Sequence, residues 1–144
     1  MTQQSSMSNE FNAKLESLNL DSVAQILVNE RGWSSQQTER AIATYAKYLL
    51  LCAQNPGRVL VPSAEIDLML HLHLKTGSKF AEDCRRTLGC IIQHEPVESC
   101  NEADRQIWTT AFRHTKALFE KTFGFGTMGT SGGANCFTIA TLSA

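Results

Sequence analysis

Asp67, His71 and His73 fall close together in EIDLMLHLHLK (residues 65–75), and His94 follows, so that all four lie within 28 positions. Imidazole and carboxylate are the donors that hold Zn, Fe or Mn, and an open position on such an ion would permit catalysis. The stretch has two incompatible readings. As a strand it alternates, with Ile66, Leu68, Leu70, Leu72 and Leu74 on one face and Asp67, Met69, His71 and His73 on the other. As a helix it separates the two histidines by roughly 200° and stacks Asp67 with His71 instead. Ser63 is a good N-cap, Glu65 suits the first turn, and Ile66 is the only β-branched residue, so the composition predicts helix.

On that helix Asp67, His71 and Lys75 form a narrow polar stripe, while His73 sits within the apolar arc. A buried imidazole must satisfy at least one ring nitrogen, and a buried carboxylate needs donors or a cation. The candidate metal ligands are Asp67, His71 and His94, with His73 either a fourth ligand or a hydrogen-bonded core residue. His71 and His73 cannot reach one ion from a regular helix. The Asp67–His71 pair can equally be a structural lock or the outer support of a ligand, and a single histidine on an apolar face is more often structural. His114, beside Arg113, reads as solvated.

The elements that must position these residues read as helices. Phe11, Leu15 and Leu18 recur at helical spacing, and Asp21 can cap a segment carrying Val23, Ile26 and Leu27 that stops at Gly32. Ile42, Tyr45, Leu49 and Cys52 form one stripe, ended by Asn55-Pro56-Gly57. Phe80, Cys84 and Leu88 form another, ended by Gly89, and Gln93 to Pro96 reads as a loop because the residue before proline avoids helix. Asn101 caps a long helix with Ile107, Trp108, Ala111, Thr115, Leu118 and Phe119 on its apolar face. Helices are expected over 36–54, 64–75, 78–88 and 102–122. The fold class is all-α, a single-domain bundle of about five helices. The expected organisation is a disordered N-terminus (1–9), a helical domain (10–123) and a glycine-rich tail (124–144), mobile and dispensable for the fold. Five of the nine glycines lie within 124–133.

Composition narrows the function. The chain has 144 residues, 42% of them hydrophobic, enough for a core without disulfide or metal staples. Its net charge of −1 and the lack of a basic stripe disfavour nucleic acid. No apolar run is long enough for a membrane span, and MTQQSSMSNE does not read as a signal peptide, so a cytoplasmic location is expected. Five cysteines (Cys52, Cys84, Cys90, Cys100, Cys136) form no CxxC pair and read as small buried hydrophobes. Nothing resembles a Ser-His-Asp set, a P-loop or a dinucleotide glycine motif.

Pro62-Ser63, Ile66-Asp67, His71-x-His73, Thr76, Phe80, Cys84, Gly89, His94 and Pro96 resemble the signature of the glycine-rich domain-containing protein-like family. That family includes small bacterial proteins and the N-terminal parts of larger plant proteins with glycine-rich tails, and the chain resembles a small bacterial member. The family pattern has tryptophan just before the first histidine, where this chain has Leu70, so no role for that indole carries over. The resemblance implies a helical fold and marks the Asp/His/His/His set as functional, but it implies no reaction.

Two functions compete on these residues. One is a metal-binding domain using Asp67, His71, His94 and His73 around a divalent Zn, Fe or Mn ion. The other is a non-catalytic module that binds a protein partner and whose His/Asp network is structural. A third reading makes the tail and Cys136 a substrate for a modifying enzyme.

Overall fold

The structure, a computed structural model, describes residue 13 and residues 18–97 and 101–142. The expected disorder of 1–9, the helical spacing of Phe11 and Leu15, and Cys100 lie outside these residues. Among the described residues the helices are α1 (Asp21–Asn29), α2 (Ser35–Gln54), α3 (Ala64–Leu74), α4 (Lys79–Asp83) and α5 (Glu102–Phe123). A π-helical turn, Cys84–Leu88, continues α4.

Capping explains where most of these helices begin. Ser34 accepts from the Gln37 amide, Ser63 from the Ile66 amide and Asn101 from the Asp104 amide, each satisfying a donor that the first turn leaves without a partner. Asp21 is not a cap; it is the first residue of α1, and its amide donates to the Asn19 side chain. Gly89 ends the π turn at φ 67°, a left-handed conformation that glycine adopts without strain.

The fold is mixed helix and strand, which corrects the all-α expectation. Strand β1 (Cys90–Pro96) pairs antiparallel with β2 (Cys136–Leu142), in a register running from Cys90 opposite Leu142 to Pro96 opposite Cys136. Gln93 to Pro96, read as loop, is therefore strand; proline forbids helix before it, but extended backbone meets that restriction equally well. The apolar end of the glycine-rich segment is no appendage to the helices either, because it forms β2. On the other edge of β2, Leu60 and Thr138 exchange backbone hydrogen bonds of 2.9 and 2.8 Å. Neither strand is long, and each partner is remote in sequence, so pairing left no local signature.

Helix α2 is the centre of the core. Tyr45, Tyr48, Leu49 and Leu51 are fully buried, and the helix packs on α1, α3, α5 and both strands. The Tyr48 hydroxyl lies 2.7 Å from the Thr138 hydroxyl, so the tyrosine's polar end is satisfied inside the sheet. Helix α5 buries only Thr115 and Phe119 outright, while Ile107, expected on its apolar face, is 61% exposed. Trp108 instead stacks on Phe137 of β2, with ring centroids 5.4 Å apart.

Candidate functional site

The inward face of the sheet supplies two of the side chains. Alternation along β1 turns Cys90, Ile92 and His94 toward the body, and alternation along β2 turns Cys136, Thr138 and Ala140 the same way. His94 is opposite Thr138 and Cys136 opposite Pro96, so His94 and Cys136 are diagonal neighbours on one face. Helix α3 lies over them and contributes Asp67.

Asp67 is the hub. His94 Nε2 donates to its Oδ1 at 3.2 Å, and the Cys136 thiol donates to the same oxygen at 2.9 Å. His71, one turn further along α3, places Nε2 3.3 Å from the other oxygen, Oδ2. The His71 and His94 rings meet edge to face, with centroids 4.9 Å apart. The site is graded in depth: Cys136 is buried, the His94 and Asp67 side chains are 13% and 21% exposed, and His71 is 52% exposed. The liganding atoms of Asp67, His94 and Cys136 all lie within 4.8 Å of one another.

Three of the four sequence-derived candidates thus come together, and His73 does not. Helical geometry points it to the opposite side of α3, where it is fully buried. Its Nδ1 accepts from the Tyr45 hydroxyl at 2.7 Å, and its Nε2 donates to Asp83 Oδ2 at 2.8 Å. Lys79 reaches the same Asp83 oxygen at 2.8 Å. Burial holds the His73 pKa below its ordinary value, and Asp83 opposes that shift. Both ring nitrogens are satisfied in the neutral form, so this is a polar tie between α2, α3 and α4 inside an apolar core. His114 is exposed on α5.

Cys136 is the member that sequence reasoning missed, having been counted with the buried thiols and the tail. The usable signal was the alternating, β-branched CFTIATL that it opens. Cys136 is also closed to a modifying enzyme in this fold, because it lies inside the sheet with 4% of its surface exposed.

The chemistry follows from the order of the groups. In a nucleophilic thiol site the imidazole faces the sulfur and the carboxylate stands behind it. Here the carboxylate faces the sulfur. Burial first, and then Asp67 as hydrogen-bond acceptor and neighbouring negative charge, push the Cys136 thiol well above the usual range. A protein-only thiolate is disfavoured, and a Cys-His-Asp acyl-transfer site with it. A divalent cation among the three would reverse this logic by removing the thiol proton outright. The residues therefore fit a metal by donor type and spacing. A cleft lined by Arg105, Trp108, Phe112, Gly133 and Asn135 involves none of these groups.

Two proteins of Arabidopsis thaliana, glycine-rich domain-containing protein 2 and glycine-rich domain-containing protein 1, are each 29% identical to the chain over 90 residues. The match covers 60% of this chain and 11% of each relative, so the chain spans a small part of either plant protein. This is weak support for the resemblance to the glycine-rich domain-containing proteins. No family model and no solved structure matches the chain. No helix among the described residues is long and apolar enough to cross a membrane.

Proposed function

We propose that the protein is a metal-binding module of the glycine-rich domain-containing protein-like family, in which Asp67, His94 and Cys136 hold a divalent ion. One observation carries this reading: three chemically different ligands, from one helix and two strands, bring their donor atoms within 4.8 Å of one another. Two ligands of a tetrahedral zinc ion stand about 3.3–3.6 Å apart, from bond lengths of about 2.0 Å to oxygen or nitrogen and 2.3 Å to sulfur. The His94–Asp67 separation of 3.2 Å already matches, and the Cys136–Asp67 separation of 2.9 Å needs only a small opening. A thiolate in the set favours Zn or Fe over Mn. The proposal includes a cytoplasmic location, for which the free thiols of Cys52, Cys84, Cys90 and Cys136 are the support.

The test is metal content. Protein purified without a histidine tag and measured by inductively coupled plasma mass spectrometry should carry close to one Zn or Fe per chain. Asp67→Ala, His94→Ala and Cys136→Ser should each lose most of it. Equal, trace metal in all four proteins would defeat the proposal.

A second reading has an observation of its own. Asp67 Oδ1 already accepts from His94 and Cys136, and His71 Nε2 lies 3.3 Å from Oδ2. The network is complete without an ion, and on that reading it is a lock joining α3 to both strands, within a module that binds a protein partner. The same variants would then lose stability with no change in metal content.

A further inference from the structure

We infer that His71 is the fourth, solvent-side ligand of this metal site, which makes it a closed zinc centre that braces the sheet against α3 rather than a catalytic one. The inference rests on the metal-binding reading of Asp67, His94 and Cys136.

The first support is spacing along α3. Residues four apart on a helix stand one above the other, so Asp67 and His71 can reach a single ion from the same side, as His73 cannot. The second is distance. His71 Nε2 stands 3.3 Å from Asp67 Oδ2, beside the Oδ1 that His94 Nε2 approaches at 3.2 Å. The Oδ1 distance already fits an edge of a tetrahedron, about 3.3 Å for nitrogen and oxygen ligands. His71 is near enough for a turn of its ring to bring it to the same ion. The third is depth. Cys136, His94 and Asp67 form the floor and walls, and His71, half exposed, lies toward the solvent. That is where an exchangeable water would sit on a catalytic ion. His71 now stands 3.3 Å from the far oxygen of Asp67 and lies outside the three-atom cluster, so its ring must turn toward the ion. At 52% exposure it has the freedom to do so.

Charge agrees with this assignment. Asp67 and a Cys136 thiolate together neutralise a divalent ion, and two neutral imidazoles complete the set without adding charge. Tetrahedral coordination by nitrogen, sulfur and one carboxylate oxygen suits zinc. Closure also assigns the ion a task. It would join α3, β1 and β2 at one point, next to a glycine-rich connection whose ordering costs more entropy than that of other sequences.

The experiment substitutes Co(II) into metal-free, untagged full-length protein and reads the visible and near-ultraviolet spectrum. The wild type should show the intense visible bands of four-coordinate cobalt and a thiolate-to-cobalt band that Cys136→Ser abolishes. Azide should leave the wild-type spectrum unchanged, because no position is open. His71→Ala, at an exposed position that should not disturb folding, should weaken Zn(II) binding by about 10–100-fold. It should also make the cobalt spectrum respond to azide and recover the wild-type bands when imidazole is added. A residue that merely orients Asp67 would not confer azide sensitivity or imidazole rescue. A wild-type spectrum that shifts with azide, or a His71→Ala spectrum identical to wild type, would overturn the assignment while leaving the three-ligand site standing. Absence of any thiolate-to-cobalt band in the wild type would remove both.

Discussion

Replacing Asp67 with alanine separates the metal reading from the purely structural one on a single energy scale. The substitution removes the acceptor shared by His94 and Cys136 and the carboxylate beside His71. His71 contributes little to the cost, because its side chain is 52% exposed and water takes the place of its 3.3 Å contact with Asp67. His94 and Cys136 are different, with the histidine side chain 13% exposed and Cys136 4% exposed. A buried donor left unpaired costs about 1–3 kcal/mol, with the weakly donating thiol at the low end. The metal-free protein should therefore lose about 2–3 kcal/mol. With free zinc at a hundred times its dissociation constant, binding stabilises the wild type by about a further 2.7 kcal/mol. The variant lacks that increment, and the gap widens to about 5 kcal/mol. At about 2–4 °C per kcal/mol for a chain of this size, the melting temperatures should differ by about 10–20 °C with zinc and by about half that in chelator. Urea unfolding followed by circular dichroism, in chelator and in buffered zinc, measures both gaps. Equal gaps in the two buffers would refute metal binding through Asp67. A gap in chelator below about 0.5 kcal/mol, the size of an ordinary surface substitution, would refute the lock as well.

The remaining expectations concern the rest of the fold. Burial keeps His73 neutral when folded, with its pKa below the unfolded value of about 6.5. The unfolded chain therefore binds the extra proton first, and this contribution to stability is lost as pH falls from about 6.5 toward the folded pKa, at up to about 1.4 kcal/mol per pH unit. Urea titrations at stepped pH should show that loss in the wild type and a flatter profile in His73→Gln. A Cβ on Gly133 would stand 2.8 Å from Phe112 Cγ, whereas Gly132 has nothing within 4 Å. Gly133→Ala should cost about 1–3 kcal/mol and Gly132→Ala much less, and equal melting temperatures for the two would contradict that packing. Deleting 134–144 removes β2 and the buried Cys136, Thr138 and Ala140. It should abolish the cooperative thermal transition, whereas a melt close to wild type would show the sheet to be dispensable.

Helices were legible in the sequence because their signals are local. Ser63 and Asn101 stand where caps belong, and of the Ile42, Tyr45, Leu49 and Cys52 stripe the last three are buried and Ile42 is partly buried. The sheet was not legible. Cys90-Ile91-Ile92 read as a bridge into a loop and CFTIATL as the end of a tail, because each strand is defined by a partner forty or more positions away. The same non-locality hid Cys136 from the site. Asp67, His71 and His94 were visible as residue types, but the sulfur that completes the donor set joins them only through strand register. The exposed Ile107 shows the converse error: a regular apolar spacing on α5 that the core does not use.

Helical geometry on α3 decides what the two histidines of His71-x-His73 can be. The roughly 200° between them makes a shared ion impossible and assigns each a different environment. His73 enters a core where Tyr45 and Asp83 satisfy both its nitrogens, so an ion would have to displace bonds of 2.7 and 2.8 Å inside an apolar interior. His71 stands at a surface where it has only a 3.3 Å contact with Asp67, which water can replace. Displacing the second costs little and displacing the first costs a great deal. A metal at this helix is therefore confined to the Asp67 face, and the donors available there are those of β1 and β2. That constraint links the chemistry to the strand pairing: with the register shifted by one residue, either His94 or Cys136 would point to the opposite face of the sheet, and the site would be lost.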